Sequence, residues 1–299
     1  MKPRSRLVTI GVPVAVAVTV AAGVLAVGIL SQEDSRATTA LTGEAGRSGI
    51  AAPPAVVGDP RDPATWKLPV EAYAPTASET RVVSVARDKL IDECMAKAGF
   101  EEWVPAPDLP ALGGDTPTDW RYGVHDAAQA AQHGYHPDPA RQQAYDEALA
   151  VGAVDRSGAD DGVLKACAAT ADAQVPPVQE ASIVQEINTQ SFKAAEESPS
   201  VEEAFRQWSA CMKSKGYVYA RPMDANDDPR FAARDEVTDL EIATAKADVA
   251  CRDRYQVEKT WFEAEVQLQQ SGIKKHHAAL EAARVQHKAT VAKATALAR

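Results

Sequence analysis

Four cysteines carry the most constrained chemistry in this 299-residue chain: Cys94, Cys167, Cys211 and Cys251. Thiols in an oxidising compartment pair as disulfides, and four of them allow three pairings. As thiolates they could instead bind zinc, but the chain has no Cys-x-x-Cys pair and the spacings fit no zinc-ligand pattern. The cysteines therefore predict two disulfides, with no metal and no cofactor.

Two of the cysteines begin related segments, Cys94–Phe100 and Cys211–Tyr217, which share the form Cys-Met-x-x-x-Gly-aromatic. A glycine directly after a helix supplies the left-handed residue of a Schellman stop, which brings the methionine position against the aromatic one. Each segment is followed by one later cysteine. The favoured pairing is therefore Cys94 with Cys167 and Cys211 with Cys251, one bridge in each of two modules.

The elements that position these cysteines are predicted to be helices. Alanine is abundant, and capping boxes of the S/T-x-x-E form begin at Thr76, Ser200 and Thr238. We expect an all-α fold of two helical modules followed by a basic helical extension, 271–299. The modules are 76–175, which contains a large insertion that includes residues 120–136, and 176–270.

The last helix is predicted to run for about 60 residues with a kink at Ser271-Gly272. Its apolar face is predicted to consist of Leu240, Ala247, Cys251, Tyr255 and Phe262. This helix would be the longest element of the fold.

The N-terminal part is predicted to tether the helical part to a membrane. Residues 1–6 are basic, and the 24 residues 7–30 contain no charged side chain. As a helix they would extend about 36 Å, enough for a bilayer core of about 30 Å, and the flanking charges predict a cytoplasmic N-terminus with an extracytoplasmic bulk. Cleavage as a signal peptide, giving a secreted protein, is the alternative. Residues 31–75 are predicted to be a flexible spacer, with Trp66 and Tyr73 docking on the folded part.

The chain resembles a group of exported, membrane-anchored, four-cysteine helical proteins of high-GC actinobacteria over about residues 78–262. The shared features are the two Cys-Met-x-x-x-Gly-aromatic stops, Arg-Tyr-Gly-x-x-Asp at 121–126, Gly-Tyr-His at 134–136 and the later cysteines. No activity is established for that group. The resemblance therefore implies export and disulfides but no catalytic residues.

Three histidines in the insertion could do acid–base or metal chemistry: His125, His133 and His136. No pair has the i, i+4 spacing of a His-Glu-x-x-His site, so loop packing is the favoured interpretation. An exported hydrolase with a site in residues 120–136 is the alternative. It would require a concave pocket with convergent acids or histidines of perturbed pKa.

The segment 272–299 is basic in a chain whose formal net charge is −10. That overall charge argues against a nucleic-acid partner. The basic residues predict a surface for an acidic envelope protein, an anionic wall polymer or anionic lipid headgroups: Lys274, Lys275, Arg284, Lys288 and Lys293. A solvated tail helix is the alternative interpretation.

Together these features predict a non-catalytic, extracytoplasmic interaction or scaffold protein, anchored in the lipid bilayer through residues 7–30. It would be accessory to a transporter or to the cell wall. The alternatives are the hydrolase and a sensor that binds a small ligand between the modules.

Overall fold

The structure, a computed structural model, describes residues 51–298 apart from 101–102, 106, 152–153, 156–157 and 235, with the backbone alone at 154–155. The predicted basic segment, membrane anchor and first part of the spacer lie outside the described residues. Among the described residues, no helix has both the length and the apolarity that a bilayer crossing requires.

The described part is mostly helical, as predicted. Its α-helices are α1 (Ala77–Lys97), α2 (Ala127–His133), α3 (Pro139–Val151), α4 (Asp161–Gln174), α5 (Ser182–Glu196), α6 (Pro199–Ser214), α7 (Pro222–Asn226), α8 (Asp239–Tyr255) and α9 (Val257–Leu297). The other elements are 3₁₀ turns at Pro63–Thr65, Pro69–Tyr73 and Pro229–Phe231 and an antiparallel pair of short strands, β1 (Trp103–Val104) and β2 (Val154–Asp155).

Helix α9 is the longest helix of the described part. It contacts α5, α1 and α6 along its length. Its buried apolar residues recur at helical spacing: Trp261, Phe262, Ile273, Leu280 and Ala294. Because this stripe continues for the whole helix, α9 joins the main core around α6 and α8 to a second packing region along α1 and α5.

The prediction of one continuous C-terminal helix is wrong. Gln256 has φ 50° and ψ 44°, and this left-handed residue separates α8 from α9. The irregularity inside α9 lies at His276 (φ −109°, ψ 18°) and not at Ser271-Gly272. An ideal Cβ on Gly272 would lie 3.3 Å from Cγ2 of Ile187, so this glycine allows close approach of α9 to α5.

Both predicted helix stops are confirmed. Their glycines have φ of 90° and 93°. The amide of Phe100 donates to the carbonyl of Met95 at 2.9 Å, and the amide of Tyr217 donates to that of Met212 at 3.0 Å. These are the hydrogen bonds that define the Schellman motif. In each stop the methionine and the aromatic residue belong to the same hydrophobic cluster, as expected.

The predicted disulfide pairing is also confirmed. Cys94–Cys167 joins α1 to α4, and Cys211–Cys251 joins α6 to α8. The first bridge lies in a small cluster between α1, α4 and β1, and the second lies in the main core.

The main core contains residues of both predicted modules. Tyr122, Val124 and Tyr135 of the insertion are packed in one cluster with Trp208 and Trp261. The insertion of the first predicted module is therefore built into the core formed by α6, α8 and α9.

The prediction of a flexible spacer is wrong for residues 51–75. Val56 and Lys67 form an antiparallel bridge, and the following apolar side chains are buried: Trp66, Leu68, Val70 and Tyr73. The ring of Trp66 lies 4.9 Å from that of Phe262 between centroids. These large apolar residues outweigh the polar composition of the segment, and the predicted docking of Trp66 and Tyr73 is confirmed.

One of the three predicted helix starts is misplaced. Thr76 caps α1 with the predicted reciprocal bonds to Glu79. Helix α6, however, begins at Pro199 with Ser198 as its N-cap, two residues before Ser200. Proline is favoured at the first helical position because its fixed φ suits the helix and it has no amide hydrogen to satisfy.

Replacing both cysteines of either bridge with alanine should lower the free energy of unfolding by about 4 kcal/mol, because the bridges close chain segments of 40 and 73 residues. Denaturant unfolding of the two double variants and of the parent would measure this. Unchanged stability in either variant would contradict the structural role of that bridge.

Candidate functional site

The insertion is held on α8 and α9 by buried carboxylates. Glu265 of α9 is 0 % exposed and accepts hydrogen bonds from Nε of Arg121 at 2.9 Å and from the hydroxyl of Tyr122 at 2.8 Å. The hydroxyl of Ser191 and Nε2 of Gln269 also donate to it, at 3.2 and 3.0 Å. A buried carboxylate is tolerated when it is paired and fully hydrogen-bonded, and Glu265 meets both conditions.

Asp248 of α8 is a second buried anchor. It accepts from Nε of Arg252 at 2.6 Å, from Nε1 of Trp208 at 2.8 Å and from the hydroxyl of Tyr135 at 3.1 Å. Burial, and then the charge of Asp248, raise the pKa of Tyr135, so its hydroxyl remains a donor. Arg252 also donates to the carbonyl of Tyr122, which links this anchor to the other end of the insertion.

Glu241, at the start of α8, is the third anchor. Thr238 caps the helix as predicted, accepting from the amide of Glu241 at 3.1 Å. The side chain of Glu241 does not complete the predicted capping box. It is buried, accepts from the amide of Tyr135 at 2.9 Å and pairs with Nδ1 of His136 at 2.7 Å.

The glycines of the Arg-Tyr-Gly-x-x-Asp and Gly-Tyr-His segments allow this close docking. Gly123 has φ 105°, and an ideal Cβ there would lie 2.6 Å from Nη1 of Arg252. Gly134 has φ 59°, and its Cβ would overlap the carboxylate of Glu241. The two glycines therefore serve to pack the insertion closely on α8.

The structure does not bring the three insertion histidines together. His125 pairs with Asp119 at 2.7 Å, His136 pairs with Glu241, and His133 lies 3.8 Å from Asp138. Among the described residues, no three His, Cys, Asp or Glu side chains are arranged to hold a metal ion. His136 lines one concave surface of the described part, and His125 lines another, separate one.

That surface is a cleft of about 620 Å³, where the turn around Pro60, His125 and the α8–α9 junction meet. Glu258 lines the cleft and is 7 % exposed. Its Oε1 has no hydrogen-bond partner among the described residues and lies 3.8 Å from Nη1 of Arg252. Burial raises the pKa of Glu258 to about 7, against the attraction of Arg252.

Sequence reasoning missed Glu258, because a glutamate in the second position of a helix normally faces solvent and interacts with the helix dipole. The left-handed Gln256 also lines the cleft. A non-glycine residue with positive φ is typical of a constrained site, but a glutamine gives no sign of it in the sequence.

The predicted basic surface lies on α9. Lys274, Lys275, Lys288 and Lys293 are exposed and form no ion pair with any residue that the structure describes, whereas Arg284 pairs with Glu281 at 2.5 Å. The helix is not a free tail. Ala294 is buried against α1, and Nζ of Lys89 in α1 donates to the carbonyl of Leu297 at 3.0 Å.

The outward side of α9 carries a row of small apolar residues, which we call the α9 seam. Its members are all exposed and follow a 4-3-4-3-4 spacing: Ala278, Ala282, Val285, Ala289, Ala292 and Ala296. Val285, at the centre, is 64 % exposed. Lys288 and Lys293 directly precede and follow seam residues, so they flank the row on its two sides.

The chain matches no protein-family model, no curated protein and no solved structure. Any assignment of function therefore depends on the concave surfaces and on the α9 surface.

Gly123→Ala should destabilise the protein more than Gly99→Ala. Both glycines have positive φ, so backbone strain should destabilise both variants by about 1–2 kcal/mol. Nothing lies within 4 Å of a Cβ on Gly99, whereas one on Gly123 clashes with Arg252. We expect Gly123→Ala to cost about 2 kcal/mol more in denaturant unfolding. Equal losses would show that the insertion is not docked this closely.

Glu258 should make stability fall as pH rises. Its folded-state pKa is raised from 4.5 to about 7, so the folded state favours the protonated carboxyl group. The stability that this group contributes is full below about pH 4.5 and is lost as pH rises through 7, by on the order of 3 kcal/mol. Free energies of unfolding between about pH 5 and 8 should therefore fall less in Glu258→Gln than in the parent. The exposed Glu263→Gln is the control. Parallel pH profiles for the parent and Glu258→Gln would be inconsistent with this shift.

Proposed function

We propose that the protein is a non-catalytic interaction protein of the cell envelope, held in the membrane by residues 7–30. Its α9 seam binds an acidic helical segment of another envelope protein. This proposal rests on a row of exposed apolar residues on a helix whose other side is buried. The lysines that flank the row have no ion-pair partner among the described residues.

The spacing of the seam supports a helical partner. Alternating steps of three and four residues are how one helix presents a continuous stripe to another. Alanine side chains let two helix backbones approach closely but bury little apolar area, so affinity requires complementary charge. A flexible wall polymer would use the lysines but would have no need of the apolar spacing.

The lysines support an acidic partner over a second copy of this chain. In a parallel pair of helices with this seam, the residue before seam position 289 of one helix faces the residue after the next seam position, 292, of the other. Lys288 would then face Lys293 of the second copy, and like charges at flanking positions oppose pairing. Glutamate or aspartate at the corresponding positions of a partner would instead form ion pairs with both lysines.

The two disulfides support an oxidising compartment, since such bridges are rare where thiols are kept reduced. The uncharged stretch 7–30 and its basic leader support the membrane tether. Release by signal cleavage would leave the seam unchanged and give a secreted protein with the same binding surface.

A photo-crosslinking amino acid at Val285 of the full-length protein should capture one discrete acidic protein in the native cells. The same amino acid at Val218, which is 82 % exposed on the loop after α6, is the control position. Lys288→Glu with Lys293→Glu should reduce the yield at position 285 at least about fivefold, equivalent to about 1 kcal/mol.

The matched charge control is Lys193→Glu with Lys246→Glu, which reverses two exposed lysines on α5 and α8. The proposal fails if position 285 captures nothing beyond what position 218 captures. It also fails if both double variants reduce the yield equally, because the effect would then reflect overall charge.

A further inference from the structure

We propose that the groove beside α3 binds a short peptide with free ends, whose carboxylate is held by His136 and whose ammonium is held by the acids of α3. The groove has a volume of about 590 Å³, within the range of about 300–1,000 Å³ that small-molecule sites occupy. Pro137, Pro139 and Val237 in its lining suit small apolar side chains. The groove is separate from the α9 seam and does not depend on the proposed function.

His136 is a polar group of fixed position in the lining of this groove. Its amide donates to the carbonyl of His133 at 2.9 Å, and its carbonyl accepts from Nε2 of Gln129 at 2.6 Å. Its Nδ1 donates to Oε1 of Glu241 at 2.7 Å, since an ionised carboxylate only accepts. The other ring nitrogen, Nε2, is not fully buried and has no hydrogen-bond partner among the described residues. It is therefore an accessible group that a ligand can satisfy.

The pairing with Glu241 gives this end of the groove an affinity for anions. Glu241 is 0 % exposed, its Oε2 has no donor, and among the described residues it forms an ion pair with His136 alone. The buried carboxylate is therefore best compensated when the imidazole ring carries both protons. Nε2 then donates to a carboxylate oxygen of the ligand. Arg234, which is exposed and lines the same groove, adds a second positive charge.

Asp146 and Glu147 of α3 give another part of the groove an affinity for cations. Their carboxylates accept from the side-chain amides of Gln142 at 3.0 Å and of Gln143 at 2.8 Å. These neutral donors hold the acids in place without cancelling their charge. Neither acid forms an ion pair with a residue that the structure describes, so both are available to an ammonium group.

Helix geometry sets the distance between the two ends. Asp146 and Glu147 follow Pro139, the first residue of α3, by seven and eight positions. At about 1.5 Å per residue they lie about 10–12 Å along the axis from the end of α3 that His136 precedes. An extended peptide of three residues spans about 10–11 Å, whereas a single residue spans about 3–4 Å. A tripeptide therefore reaches both ends, and a free amino acid does not.

Isothermal titration of the full-length protein with L-trialanine, at about pH 6 where protonated histidine is favoured, tests the proposal. The first matched probe is N-acetyl-trialanine amide, which has the same side chains and no charged end. The second is L-alanine, which has both charges but is too short. We expect saturable binding of trialanine and at least about tenfold weaker binding of the other two.

Replacing the acids of the groove should weaken binding of trialanine. Asp146→Asn with Glu147→Gln should raise the Kd about fivefold, because the ammonium loses its partners. The matched control is Asp92→Asn with Glu93→Gln, which removes two adjacent exposed acids of α1 outside the groove and should leave the Kd unchanged.

Two further changes test the anchor and the place of binding. His136→Gln removes the charged donor and should raise the Kd at least about tenfold. Ala150→Phe places a ring in the groove and should weaken binding while every charge is kept. Ala144→Phe, at an exposed residue of α3 outside the lining, is its control and should bind normally.

The proposal is overturned if trialanine does not bind, or if either the blocked peptide or alanine binds as tightly. It is also overturned if the Kd is unchanged in both the Asp146 and Glu147 double variant and Ala150→Phe, since the site would then lie elsewhere. These variants alter exposed residues and keep the test decisive even if His136→Gln proves unstable. Loss of crosslinking at the α9 seam would not affect any of these outcomes.

Discussion

The structure depends on carboxylates of α8 and α9 that are buried and paired with the insertion. Taking each ion out of water costs several kcal/mol, and the cost is recovered only when every oxygen finds a donor. Asp248 and Glu265 meet that requirement with donors from Arg252, Trp208, Tyr135, Arg121 and Tyr122. Removing one partner of such a pair leaves a buried charge and costs about 3–5 kcal/mol. This penalty fixes how the insertion lies on the two helices.

The same constraint positions the cleft and the α9 seam. Arg252 is the last residue of the network on α8, and Glu258 is its neighbour across the break at Gln256. The cleft lies at the end of the network. Among the described residues, two carboxylate oxygens of these helices are buried without a donor, Oε1 of Glu258 and Oε2 of Glu241. Further along α9, the inward-facing residues Ile273, Leu280 and Ala294 are all buried against the rest of the fold. The α9 seam on the opposite side is left exposed.

The helix stops and the cysteine pairing were predictable from the sequence, but the directions of the side chains in α8 were not. The helix stops depend on a glycine, a methionine and an aromatic residue within seven positions, so the sequence alone identifies them. The order of the cysteines along the chain then favoured the observed pairing.

In α8, by contrast, Leu240 was predicted to face the core, but it is 46 % exposed while Glu241, Asp248 and Arg252 are buried. An apolar periodicity cannot reveal a helix whose buried side is ionic, because the compensating partners lie more than 100 residues away in the chain. For the same reason the break at Gln256 and the orphan oxygen of Glu258 had no signal in the sequence.

Hydrogen exchange of the folded protein tests the central claim most directly. If the buried carboxylates lock the insertion onto α8 and α9, the amides of Gly123 and Tyr135, which donate to the carbonyl of Trp120 and to Glu241, should exchange as slowly as those in the middle of α8. The substitution Asp248→Asn should then accelerate exchange in the insertion and in α8 together. An insertion that exchanges far faster than α8 in the unaltered protein, or that is unaffected by Asp248→Asn, would contradict the account.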